Sequence, residues 1–121
     1  NHNIRLIQSL SDTTSRPFTV AYDLDWSGIV STDYAVPAEM LGTQSVKERV
    51  YRGFPRALEE LNETIAIFNQ QKEKIFATVN GLEPLSPKNK KGMIDYLEDF
   101  YKIINDPRQV KAIFIDNARV D

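Results

Sequence analysis

The N-terminal part of the chain alternates apolar and polar positions in a way that is typical of β-strands. Residues 4–10 are rich in β-forming side chains, and residues 18–23 place aromatic or β-branched side chains at every second position. The intervening residues 11–17 are Ser, Asp, Thr, Arg and Pro, which favour turns. The pattern predicts a β-hairpin within residues 1–25.

The next segment, residues 26–44, has no regular period. Gly28, Pro37 and Gly42 interrupt it, and large apolar side chains are scattered along it. These apolar side chains predict an irregular loop that is pinned to the body of the protein rather than a free linker.

From residue 45 onward, the apolar positions recur every three or four residues, as they do on one face of a helix. Ser45 and Glu48 have the spacing of a capping box, which satisfies N–H groups at the start of a helix. They predict a short helix that Gly53 and Pro55 interrupt.

The strongest helical pattern runs from Leu58 to Val79, and residues 80–81, Asn and Gly, are suited to close that helix. Two further helix starts follow, because Ser86 and Asp106 each stand before a proline. The apolar residues 112–115 are also compatible with a strand, but the capping signal before them favours a helix.

Together these patterns predict an α+β fold: a hairpin, a pinned loop and a mainly antiparallel helical body over residues 45–121. The chain starts with Asn1-His2-Asn3, has no initial methionine and enters an apolar stretch at once. We therefore expect residues 1–121 to be a single partial domain of a larger protein whose N-terminal part is missing here.

The composition narrows the classes of function. Hydrophobic residues make up 41% and charged residues 26%, which is typical of a water-soluble globular protein. The net charge of −2 argues against nucleic acid as a partner, because such partners require a basic surface. The absence of cysteine excludes disulfides and thiolate metal sites, and no apolar run is long enough for a membrane span.

The most specific chemistry lies at the end of the predicted hairpin, in Asp23 and Asp25. On an extended backbone, side chains two positions apart project to the same side, so these carboxylates would repel each other. Mg²⁺ would relieve the repulsion, because it prefers oxygen ligands and accepts one or two carboxylates beside water and phosphate. The alternative is that both acids are solvated or cap the following turn.

Asn3 adds a third oxygen ligand to this pair. It precedes the first predicted strand, and Asp23 ends the second, so an antiparallel hairpin brings the two residues side by side. Protein kinases hold their metal ions with an asparagine and an aspartate. The alternatives for Asn3 are a frayed terminal residue and a coincidence in a common motif.

Five stretches of the chain, taken together, resemble the motifs of one protein family. They are residues 2–6 (His-Asn-Ile-Arg-Leu), 22–28 (Tyr-Asp-Leu-Asp-Trp-Ser-Gly), 34–37 (Tyr-Ala-Val-Pro), 45–53 (Ser-Val-Lys-Glu-Arg-Val-Tyr-Arg-Gly) and 99–107 (Asp-Phe-Tyr-Lys-Ile-Ile-Asn-Asp-Pro). Together they resemble the C-terminal part of bacterial CotH-like proteins, which have an atypical protein-kinase fold and are named for the spore-coat kinase. The resemblance covers nearly the whole chain.

The resemblance implies that Asp23 ligates the Mg²⁺ of bound ATP, that Asp25 is a second acid of the nucleotide site, and that Asn3 is a further metal ligand. The catalytic base and the nucleotide-covering lobe would precede Asn3, so no catalytic residue is expected in this chain. The usual export of the family implies an extracytoplasmic protein, and the protein substrate is not specified. The alternative is a non-catalytic kinase-like scaffold or binding module of an exported bacterial protein.

Overall fold

The computed structural model describes residues 3–30 and 32–120, so His2 of the resemblance lies outside the described residues. The chain divides into two compact units, of which the first ends at Arg49 and the second begins at Val50. We call them the hairpin unit and the helical unit. The hairpin and the helices together confirm the predicted α+β class.

The hairpin unit begins with two short antiparallel strands, β1 (Ile4–Ile7) and β2 (Phe18–Ala21). Ile4 pairs with Ala21 and Ile7 pairs with Phe18, which confirms the predicted hairpin, although both strands are shorter than predicted. In the connection, the Asp12 carboxylate accepts the backbone N–H groups of the residues two and three positions later, at 3.0 and 3.2 Å. This local bonding explains why a polar, proline-containing segment reverses the chain.

The remainder of the hairpin unit, as far as its residues are described, is irregular apart from one 3₁₀ turn, Glu39–Leu41, as predicted for residues 26–44. Gly42 ends this turn with φ 62°, a left-handed conformation that glycine adopts without steric cost. Two of the apolar side chains expected to pin the segment are partly buried, Ile29 and Leu41. The others are exposed: Trp26, Val30, Tyr34, Val36 and Met40.

The predicted short helix after Ser45 is wrong. Glu48 Oε1 does accept the backbone N–H of Ser45 at 2.9 Å, as in a capping box. However, only one turn forms, closed by the N–H of Glu48 donating to the carbonyl of Ser45 at 3.1 Å. Gly53 and Pro55 follow too closely for a helix long enough to offset its nucleation cost.

The helical unit contains three α-helices, α1 (Leu58–Asn80), α2 (Pro87–Ile104) and α3 (Pro107–Lys111), within the described residues. A π-helical turn, Ala112–Asp116, follows, so this run is helical as predicted. Ser86 and Asp106 cap α2 and α3 by accepting backbone N–H groups at 3.2 and 2.9 Å. The predicted long helix and both caps are confirmed.

The helical core is formed by α1, α2, α3 and the segment that follows the π-helical turn. Helices α1 and α2 are antiparallel, because Lys90 Nζ near the start of α2 donates to the carbonyl of Asn80 at 2.8 Å, whereas Phe68 packs against Phe100 with ring centroids 5.2 Å apart. The buried apolar side chains of the described residues are Val79, Tyr101, Ile104, Val110 and Ala118. No helix among residues 3–30 and 32–120 has both the length and the apolar composition needed to cross a lipid bilayer.

Candidate metal centre

The hairpin brings Asn3 and Asp23 together. Beyond the last strand pair, the N–H of Tyr22 donates to the carbonyl of Asn3 at 3.0 Å, which extends the ladder by one step. The side-chain amide of Asn3 then donates from Nδ2 to the backbone carbonyl of Asp23 at 2.5 Å. The prediction that these two residues lie side by side is confirmed, and the hydrogen bond leaves Asn3 Oδ1 as the oxygen available to a cation.

The backbone at Asp23 is not extended. β2 ends at Ala21, and Asp23 has φ 55°, the left-handed region that residues other than glycine rarely occupy. The prediction that Asp23 and Asp25 project to the same side assumed an extended backbone. That assumption is wrong, because Asp23 lies beyond the strand and has a left-handed conformation. The Asp23 carboxylate is exposed, and no described residue donates a hydrogen bond to it.

Asp25 lies in a turn. The N–H of Ser27 donates to the carbonyl of Leu24 at 2.9 Å, which closes a β-turn with Asp25 at its second position. Gly28 follows with φ 80° and is buried, so a residue with a Cβ would be strained there. The turn fixes the backbone of Asp25, and its exposed carboxylate accepts a hydrogen bond from the Tyr34 hydroxyl.

The Tyr34 hydroxyl is affected by both acids, although it contacts only Asp25. The hydrogen bond to Asp25 raises the pKa of the Tyr34 hydroxyl, and the charges of Asp25 and Asp23 add to that rise. Thr32 lowers the same pKa, although its buried hydroxyl makes no well-aligned hydrogen bond within the described residues. Both acids therefore favour the protonated form of the Tyr34 phenol.

The sequence did not predict the contact of Tyr34 with Asp25. The two residues are nine positions apart in an irregular segment, where no period indicates which side chains meet. The only available signal was that Tyr34 begins one of the stretches that carry the family resemblance.

The oxygen atoms of Asn3, Asp23 and Asp25 fit a hard cation in their chemistry. Among the described residues, however, no group of three or more acidic or histidine side chains could enclose a metal ion. Two carboxylates and one amide do not form a complete cage for a free cation. A Mg²⁺ ion beside a nucleotide needs only one or two carboxylates from the protein, because phosphate and water supply its remaining ligands.

The chain was compared with models of protein families, with curated proteins and with solved structures, and none of them matches it.

Proposed function

We propose that this chain supplies Asn3, Asp23 and Asp25 as ligands for the Mg²⁺ of bound ATP, in a CotH-like protein of protein-kinase fold. Phosphoryl transfer would also require the catalytic base and the nucleotide-covering lobe, which the resemblance assigns to residues outside this chain. The observation that carries the proposal is the hydrogen bond that joins the Asn3 amide to Asp23 at the end of the hairpin.

This hydrogen bond supports the proposal because it holds the Asn3 side chain against the backbone of Asp23, so the residue that carries the amide oxygen and the residue that carries the carboxylate are neighbours in space. Protein kinases use an asparagine and an aspartate for their Mg²⁺ ions. The left-handed backbone of Asp23 adds to the argument, since strained backbone conformations collect at sites where the direction of a side chain matters. Both carboxylates are exposed to solvent, so a nucleotide can reach them.

The charge of the site determines how ATP would bind. Two carboxylates repel the phosphates of ATP, so the nucleotide should bind well only when Mg²⁺ neutralises part of that charge. Phosphoryl transfer depends mainly on positioning and on charge stabilisation. The proposed role of Asn3, Asp23 and Asp25 is to hold the Mg²⁺ ion and the phosphates in place, without exchanging a proton with the substrate.

Thermal unfolding of the full-length protein tests the proposal. Mg²⁺ with ATP should raise the melting temperature, because a ligand that binds only the folded state stabilises it. Asp23→Asn should abolish that rise while leaving the melting temperature without ligand nearly unchanged, since the Asp23 side chain is exposed. Glu39→Gln is a matched control, because it removes another exposed carboxylate of the hairpin unit and should leave the rise intact.

Two results would contradict the proposal. One is the absence of any Mg²⁺–ATP shift in a folded wild-type protein, which would favour the non-catalytic scaffold or binding module. The other is an unchanged shift in Asp23→Asn, which would remove Asp23 from the nucleotide site.

A further inference from the structure

The hairpin unit contains two β-turns, and a side chain of one turn contacts a side chain of the other. The first is closed by the N–H of Ser27 and the carbonyl of Leu24, 2.9 Å apart, and it carries Asp25. The second is closed by the N–H of Ala35 and the carbonyl of Thr32, 3.1 Å apart, and it carries Tyr34. The Tyr34 hydroxyl donates to Oδ2 of Asp25 between these turns.

We propose that Tyr34 is a positioning residue for metal binding: its hydroxyl holds one oxygen of Asp25 and thereby directs the other oxygen, Oδ1, to the Mg²⁺ of the nucleotide. This inference rests on the proposed function, and it assigns to that site a residue that does not itself touch the metal. Tyr34 acts through Asp25 alone.

The turns make this role physically reasonable. Because backbone hydrogen bonds fix both turns, the main freedom left to Asp25 is rotation of its side chain among rotamers. An exposed carboxylate without a partner loses that freedom when it binds a cation, whereas a hydrogen bond from Tyr34 restricts it beforehand. Hydrogen bonds to metal-ligating carboxylates typically change metal affinity by about 10- to 100-fold.

Tyr34 is also not a core residue. Its side chain is 63% exposed, so the loss of its hydroxyl should not disturb packing. Tyr34→Phe therefore removes the hydrogen bond to Asp25 and leaves the ring in place. We expect this variant to bind Mg²⁺ or Mn²⁺ roughly 10-fold more weakly at saturating ATP, with little change in melting temperature without metal.

Binding of Mn²⁺ in the presence of ATP tests the inference without any measurement of phosphoryl transfer. Free Mn²⁺ can be followed by electron paramagnetic resonance in titrations of the full-length wild type, Tyr34→Phe and Tyr51→Phe. Tyr51→Phe is the matched control, because the Tyr51 hydroxyl also makes one hydrogen bond, to the carbonyl of Phe54 at 2.9 Å, but within the helical unit. It should bind Mn²⁺ like the wild type.

A double-mutant cycle separates positioning from a general structural effect. In an Asp25→Ala background, Tyr34→Phe should cause no further loss of Mn²⁺ affinity, because the carboxylate that Tyr34 positions is gone. An equal loss in both backgrounds would overturn the inference, since Tyr34 would then act independently of Asp25.

The remaining outcomes are also distinguishable. If the wild type binds Mn²⁺ with ATP, Asp23→Asn does not, and Tyr34→Phe binds normally, the proposed function stands and the role of Tyr34 is wrong. If the folded wild type does not bind Mn²⁺ with ATP, the proposed function fails and the positioning role fails with it.

Discussion

Tyr101 shows how one side chain can connect the two long helices. It lies in α2, is only 3% exposed, and donates its hydroxyl to the carbonyl of Phe68 in α1 at 2.9 Å. The ammonium group of Lys72, also in α1, lies 5.1 Å from the centroid of the Tyr101 ring. A hydrogen bond, a cation–π contact and apolar burial therefore meet at one residue.

Burial of Tyr101 predicts a dependence of stability on alkaline pH. Desolvation raises the pKa of the Tyr101 hydroxyl, because the phenolate form is disfavoured away from water. An unfolded tyrosine loses its proton near pH ~10, so above that pH the unfolded state holds fewer protons than the folded state. The contribution of Tyr101 to stability is thus fully present below pH ~10 and decreases as the pH rises towards the folded-state pKa.

Urea unfolding of the wild type and of Tyr101→Phe between pH 8 and 11 measures this effect. At pH 8, the variant should have an unfolding free energy about 1 kcal/mol lower than the wild type, because the hydrogen bond is lost. The difference between wild type and variant should then shrink as the pH rises above ~10, because only the wild type can form a phenolate at this position. A difference that stays constant over this range would contradict the predicted pKa shift.

Helix caps show how far local sequence signals determine an element. Ser86 and Ser45 both form the side-chain hydrogen bonds expected of a helix start. After Ser86, eighteen residues of helix follow, because the apolar face of α2 packs against α1. After Ser45 there is no long apolar face before Gly53, so the same cap ends in a single turn. A cap therefore indicates where a helix can begin, whereas tertiary packing decides whether it continues.

In the hairpin unit too, the sequence pattern predicted only part of the candidate site. The alternation of the strands was enough to predict that Asn3 and Asp23 meet, because strand pairing is a regular relation along the sequence. The position of Asp25 depends on a turn after Ala21, and its contact with Tyr34 depends on a second turn. Turn conformations follow from local hydrogen bonds that have no sequence period, so neither feature could be predicted from the pattern.

The different burial of two isoleucines in the helical unit gives a prediction for a matched pair of variants. Ile104, in α2, is 4% exposed, whereas Ile67, in α1, is 60% exposed. Ile104→Ala should lower the free energy of unfolding by about 2–5 kcal/mol, since it leaves a cavity in the core. Ile67→Ala should change it by no more than about 0.5 kcal/mol. Urea unfolding monitored by far-ultraviolet circular dichroism compares the two, and similar costs for both variants would contradict the assigned core.

At the scale of the whole molecule, the α+β class and the helices were predicted, but the ends of the helical unit were not. The segment before α1 is bound to the π-helical turn and to the segment after it. The N–H of Arg119 donates to the carbonyl of Gly53 at 3.0 Å, and the rings of Tyr51 and Phe114 lie 4.9 Å apart. These contacts join residues more than sixty positions apart, and such pairings leave no periodic signal in a single sequence.

Limited digestion with trypsin tests this organisation. Arg49 is exposed in irregular backbone at the end of the hairpin unit, and Lys47 is exposed in the single turn that follows Ser45. Arg52 is also exposed, but it is flanked by Tyr51 and Gly53, which are held by the C-terminal segment. Because proteolysis needs backbone that can open locally, we expect the first cuts within this chain to follow Lys47 or Arg49.

Mass spectrometry at early digestion times identifies the products. A fragment that begins at Glu48 or Val50 and retains α1 and α2 should accumulate, because the lysines of α1, such as Lys72 and Lys74, lie in hydrogen-bonded helix. The double variant Lys47→Gln with Arg49→Gln should slow the appearance of this fragment without shifting the first cuts into α1. Early cleavage after Arg52 or within α1 would mean that the contacts of Tyr51 and Gly53 with the C-terminal segment do not protect the start of the helical unit.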